Sequence, residues 1–155
     1  MRLTLFADYR QIYICCEAAG PDAATMWSDD DIRDGISSAP GLLAIQTARA
    51  MDVAVDVALH ETAPALRDAD HCVEDDLTVA SDRIVIAGCS DYFPDAARLS
   101  VMPGTWRVRV SVTGLSTISA DGLDGDDRYR VDLWPATPSG RVVWRSAGPW
   151  GPSPS

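Results

Sequence analysis

The chain has 155 residues, enough for one domain whose single core buries roughly two thirds of the unfolded surface. A hydrophobic content of 46% excludes disorder throughout, and 23 acids against 13 bases, every base an arginine, give a net charge of −10 that repels nucleic acid and anionic membrane. The same surplus suits solubility, a divalent cation or a basic protein partner.

Arg2-Leu3-Thr4-Leu5-Phe6 alternates and meets Asp8 at once, unlike the continuous apolar region of a signal peptide. No apolar run approaches the roughly 18 residues of a membrane span. Residues 2–6 and 11–16 read as a strand pair, with Asp8-Tyr9-Arg10 between them as a bulge or a tight corner. Cys15 and Cys16 fall inside the second apolar strand, where a thiol behaves as a small hydrophobe. With Cys72 and Cys89 they form no C-x-x-C pair, and only His60 and His71 are available to complete a metal set. A reducing cytoplasm is the expected location.

Residues 17–25 read as a loop containing Gly20-Pro21, leading to the one helix signal, the stretch 26–36. Ser28 is placed to cap the first turn, Asp31 stands where a capping box has its acid, and Asp29, Asp30 and Asp31 favour the positive end of the helix dipole. Ile32 and Ile36 make an apolar stripe, and Gly35 with Pro40-Gly41 ends the helix. Trp27 has two readings, a staple-like core anchor or an exposed aromatic hot spot.

After a strand beginning at Leu42, residues 51–61 alternate most clearly: Val53, Val55, Val57 and Leu59 on one face, Asp52, Asp56 and His60 on the other. Residues 63–74, with Pro64 and a run of small and acidic side chains, read as a surface loop. Residues 77–79 and 84–86 flank a four-residue turn and read as a hairpin. Residues 98–102 form a strand and Pro103-Gly104 a turn. In residues 105–112, Trp106, Val108, Val110 and Val112 face inward while Arg107, Arg109 and Ser111 face outward. The acidic turn 121–127 precedes the strand 128–134, in which Tyr129, Val131 and Leu133 face inward; residues 142–144 add a short edge strand. The pattern is a mainly β, antiparallel two-sheet sandwich with one short helix in its N-terminal half, a single domain over residues 1–147 followed by a Pro/Gly/Ser-rich tail over 148–155.

Catalytic motifs are missing: there is no G-x-S-x-G, H-E-x-x-H, Walker loop or G-x-G-x-x-G. His60 reads as a solvated strand histidine and His71 as part of an acidic loop, so a hydrolase built on either is a rival reading and no cofactor is expected. Asp121, Asp124, Asp126 and Asp127 around Gly122 and Gly125 supply hard oxygens, which makes a calcium-dependent β-sandwich binding module the alternative to a hydrated polar turn. Two further acidic groups stand out: Asp29, Asp30, Asp31 and Asp34, and then Asp68, Asp70, Glu74, Asp75 and Asp76. Each alone is an ordinary solvated face. Together they imitate a phosphate backbone and would speed association with a basic partner.

Tyr9-Arg10-Gln11 before Ile12-Tyr13-Ile14, Trp27-Ser28-Asp29 opening a helix that ends at Gly35, Gly41 before an apolar strand, the hairpin-like stretch 77–86 and Pro103-Gly104 leading into Trp106 follow one another in a familiar order. In that order and spacing, from about Leu3 to Leu133, the chain resembles the competence protein J family, the DNA-entry nuclease inhibitors also called Nin. The resemblance implies a non-enzymatic protein that binds a bacterial nuclease and blocks it, either as a competence factor or as an immunity protein. It carries over no interface residues. The expected partner is a basic bacterial nuclease met by the two acidic groups, with no nucleic acid and no membrane as partner; self-association is left open. The absence of lysine, the Cys15-Cys16 pair and the longer C-terminus are departures from the family pattern.

Overall fold

Strands that alternate apolar and polar have one face to hide, and in the computed structural model two sheets of such strands hide theirs against each other. Residues 1–19, 27–148 and 150 are described. In chain order the elements are β1 (Arg2–Phe6), β2 (Gln11–Cys16), α1 (Asp29–Asp34), β3 (Ile36–Ala39), β4 (Leu42–Gln46), β5 (Asp52–Leu59), β6 (His71–Val79), β7 (Arg83–Gly88), β8 (Ala97–Ser100), β9 (Gly104–Thr113), β10 (Arg128–Pro135) and β11 (Val142–Arg145). One sheet has the strand order β1-β5-β10-β9-β6-β11 and the other β3-β4-β2-β7-β8. The expected mainly β, two-sheet fold with one short helix is what forms. It departs from an all-antiparallel arrangement at one pair: β10 is antiparallel to β9 and is thereby left parallel to β5.

The core lies between the sheets. Val53, Val55 and Val57 of β5, Val108 and Val110 of β9 and Tyr129, Val131 and Leu133 of β10 meet Ile12 and Ile14 of β2, Leu43 and Ile45 of β4 and Ile84 and Ile86 of β7, all buried. At roughly 1.5–3 kcal/mol for each large side chain fully buried, these alternating positions are the main stabilisation of the sandwich. Leu59, placed in the same row by its spacing, ends β5 and is 40% exposed.

Several connections differ from the sequence expectation, and for one reason: alternation shows that a stretch is a strand but not which sheet takes it. Strands β1 and β2 do not pair; β1 lies beside β5, and β2 lies between β4 and β7. The tight corner Asp8–Arg10 carries the chain between sheets, with Tyr9 at φ 55° and Arg10 at φ 57°. The left-handed region costs a residue with a Cβ roughly 1–2 kcal/mol. Likewise β6 and β7 belong to different sheets, so the stretch 77–86 is a crossover and not a hairpin. The true two-residue hairpin is β3–β4, closed by Pro40 and by Gly41 at φ +73°.

The helix is shorter than its apolar stripe suggested. Gly35 ends α1 at φ +74°, and Ile36 already belongs to β3 and is buried, while Ile32 is 41% exposed. Residues 71–74, expected in a surface loop, begin β6, and His71 is fully buried there. The edge strand expected at 142–144 is β11, paired with β6. The expected loop 17–25 lies, from residue 20 onward, outside the described residues, as do residues 149 and 151–155 of the expected tail. Trp150, placed in that tail by its composition, packs against the core and meets the His71 ring at a tilt of 58°, with ring centroids 4.3 Å apart.

Candidate functional site

The helix cap is the local seed of the acidic region. The Ser28 hydroxyl accepts from the Asp31 N–H at 3.1 Å, and the Asp31 carboxylate accepts from the Ser28 N–H at 3.1 Å, which is the reciprocal capping box read from the sequence. Along this helix Asp31 is partly buried and Asp34 buried, while Asp29 and Asp30 are exposed. Trp27 is half-buried and outside the main core cluster, so it is neither a deep anchor nor a fully exposed aromatic.

Arg141, just before β11, joins the two acidic groups. Its Nη1 donates to Asp31 Oδ1 at 2.8 Å and to Asp34 Oδ2 at 3.4 Å, and its Nε donates to Asp75 Oδ2 at 3.0 Å. Burial alone would raise the Asp31 pKa, but the Arg141 guanidinium, the Ser28 N–H and the Ser37 hydroxyl more than offset it and hold the carboxyl below the usual carboxylate range.

A second web lies on the opposite face of β6 and β9. Glu74 and Asp76 stand across the ladder from Arg109 and Arg107. Arg107 reaches Asp76 at 2.8 Å and Glu74 at 3.2 Å, and Arg109 reaches Glu74 at 2.8 Å. The two arginines do face away from the core, as their spacing predicts, yet both are buried. The segment after β5 crosses over them, with the Pro64 carbonyl accepting from Arg109 at 2.8 Å, and the Trp134 ring lies 4.9 Å from the Arg109 guanidinium. Asp76 also accepts from the N–H groups of Ser139 and Gly140. Despite its burial, these donors and Arg107 hold its carboxyl below the ordinary range.

The nine acids picked out from the sequence therefore divide. Asp34, Glu74 and Asp75 are buried and bound by arginine; Asp31 and Asp76 are partly buried and bound by arginine; Asp29, Asp30, Asp68 and Asp70 are at the surface. What a count of acids misses is the arginines that meet them. The available signal was the shared period of two between Glu74 and Asp76 on one strand and Arg107 and Arg109 on another.

Both histidines and the buried Asp127 are held by contacts within the scaffold. His71 Nδ1 accepts from the Ala147 N–H at 3.1 Å, so Nε2 carries the proton and donates to the Asp34 carbonyl at 2.7 Å. Burial lowers its pKa, against the smaller opposite pull of Asp34. His60 Nε2 lies 2.7 Å from Asp132, which also accepts from Arg130. In the acidic turn, Asp127 is buried and bound by Arg49 at 2.6 Å and by the Tyr129 hydroxyl at 2.6 Å, while Asp121 accepts from the Ser119 hydroxyl and the Leu123 N–H. Among the described residues no three His, Cys, Asp or Glu side chains gather as a metal site. The four cysteines are free thiols, and burial pushes Cys15 up to about 11. No described helix is long and apolar enough to cross a membrane.

A family profile described as Competence protein J (ComJ) matches residues 4–133. Among solved structures, the chain is similar to that of ComJ, inhibitor of the DNA degrading activity of NucA, from Bacillus subtilis, at 15% identity and a TM-score of 0.70, covering 88% of this chain and 96% of that one. It is also similar to a structure described as crocagin biosynthetic gene J, at 19% identity and a TM-score of 0.57, again covering 88% of this chain and 96% of the other. No curated protein matches the chain.

Proposed function

The chain belongs to the competence protein J family, and from that premise we propose that it is a non-catalytic, cytoplasmic inhibitor that binds a basic DNA nuclease and blocks its access to DNA. Family membership carries the reading, and the net charge of −10 supports it independently. A nuclease that grips DNA carries a positive cleft, and a compact acidic protein is drawn to such a cleft as the phosphate backbone is. Of the acids singled out from the sequence, Asp29, Asp30, Asp68 and Asp70 are exposed and add to this long-range attraction. Asp31, Asp34, Glu74, Asp75 and Asp76 act through the scaffold, since arginines already hold them. The same binding serves a competence factor or an immunity protein; the fate of the nuclease separates those two roles.

The test is a titration of DNA degradation, using NucA and any small nuclease encoded beside the gene for this chain. A stoichiometric inhibitor drives cleavage down linearly to an end point near a fixed molar ratio, and added salt slows its association. Cleavage by both nucleases that continues unchanged in a large excess of the chain refutes the reading.

A further inference from the structure

We propose that the nuclease is gripped by the end of the sandwich where the Asp8–Arg10 corner, the chain entering β5, the loop after β7 and the acidic turn come together, with Tyr9 as its central anchor. The inference rests on the inhibitor reading and names the surface that reading requires. Four observations carry it.

First, large apolar side chains stand exposed there: Tyr9 at 77%, Leu123 at 53%, Phe6 at 43% and Met51 at 37%. Tyr9 and Leu123 line one open cleft of about 400 Å³ together with Arg10, Ala50, Asp121 and Gly122. The Ala7 N–H donates to the Met51 carbonyl at 3.0 Å, and Phe6 pairs with Asp52 across β1 and β5, so Met51 and Phe6 border the same end. Exposed aromatic and apolar groups gathered around a concavity are what interface hot spots are made of.

Second, the Tyr9 ring is presented by a rigid piece of chain. Its backbone is left-handed, as is that of Arg10, and the corner is pinned by the Arg10 N–H to the Ala7 carbonyl at 2.9 Å and by the Thr47 N–H to the Arg10 carbonyl at 2.9 Å. A strained conformation at two successive residues with side chains is held there by its surroundings. An aromatic group fixed in advance loses little freedom when a partner covers it.

Third, this end carries more negative charge than positive: five acids stand against Arg10, which lines the cleft, and Arg49, which Asp127 already holds. Asp8, Asp52, Asp91, Asp121 and Asp124 surround the apolar group, and none of them is in an ion pair among the described residues. The loop after β7 joins the others through the Cys89 thiol, which donates to the Asp8 carbonyl at 3.1 Å, and through Gly88, which packs on the Phe6 carbonyl.

Fourth, five of the acids around α1 and β6 are spent internally on Arg107, Arg109 and Arg141, which leaves Asp29 and Asp30 exposed there, the latter beside Arg33. An apolar centre rimmed by carboxylates outside any described ion pair complements a basic protein, and it repels nucleic acid.

The test uses the whole chain against NucA and any small nuclease encoded beside its gene, with binding kinetics and thermal unfolding measured together. Tyr9→Gly removes the ring while glycine takes the left-handed backbone without strain, so the variant melts no lower than the parent yet dissociates roughly tenfold faster or more. Met51→Ser combined with Leu123→Ser weakens binding in the same way, whereas Asp29→Asn with Asp30→Asn slows association only. Wild-type dissociation rates for both apolar variants, with the parent still inhibiting, overturn this surface and leave the inhibitor reading standing. A parent chain that neither binds nor inhibits either nuclease overturns that reading and this inference with it.

Discussion

Arg141→Met removes the guanidinium that ties α1 to β6 while keeping most of its apolar stem. Three carboxylates lose a donor. Asp31 keeps the Ser28 N–H and the Ser37 hydroxyl, and Asp34 keeps Arg33 at 3.0 Å. Asp75 is left with one backbone N–H, that of Asp76 at 2.8 Å, while its side chain is only 11% exposed. Removing one partner of a buried pair costs about 3–5 kcal/mol, and the part-exposed setting of Arg141 places the loss at the low end, about 3 kcal/mol at neutral pH. Urea unfolding reads this as a fall of roughly 1 M or more in the midpoint, and Asp75→Asn in the same background recovers about 1–2 kcal/mol. The acid limb changes too. The lowered Asp31 pKa gives the parent stability that is fully present above the unfolded value near 3.8 and is lost as pH falls through the folded value, and this loss shrinks without Arg141. A cost below about 1 kcal/mol, with nothing recovered by Asp75→Asn, would show that the charge web does not hold these elements together.

Ser28→Ala breaks the capping box and costs about 1 kcal/mol in urea unfolding, with faster amide exchange at Asp31. Tyr129→Phe leaves both the buried Ala48 N–H and one oxygen of Asp127 without a partner, so chemical denaturation should show a loss of about 2–3 kcal/mol although only one oxygen atom is removed. His71, lowered by burial, contributes stability that is fully present above its unfolded pKa of 6.5 and is lost as pH falls through its lower folded value. His71→Gln, whose amide keeps a donor for the Asp34 carbonyl and an acceptor for the Ala147 N–H, flattens the fall in stability as pH drops below 6.5; an unchanged slope would assign it to other groups.

The parts of this fold legible in the sequence are those whose causes are local. The Ser28–Asp31 cap needs residues three apart, and the valines of β5 and β9 declare their faces by alternation. Sheet membership was hidden because it is decided by distant partners, which is why β1 with β2 and β6 with β7 looked like pairs. The start of β6 was hidden for a different reason: His71 and Asp75 occupy the same side of the alternation as Val73 and Leu77, and buried polar groups disguise a core-facing row. The acids were visible but their state was not. Whether Asp31 belongs to solvent or scaffold depends on Arg141, 110 residues away, and whether Glu74 does depends on Arg107 and Arg109. The exposed corner at Tyr9 carried its signal in plain view, an aromatic between Asp8 and Arg10 at a break between strands, but only the left-handed backbone distinguishes it from an ordinary turn.

Amide hydrogen exchange of the chain alone and mixed with NucA or a small nuclease encoded beside its gene tests the proposed surface most directly. Binding at the loop end protects residues 6–10, 49–52 and 119–124 while α1 and β6 exchange as they do in the free protein. Protection concentrated on α1 and β11, with the Tyr9 corner unchanged, would contradict it.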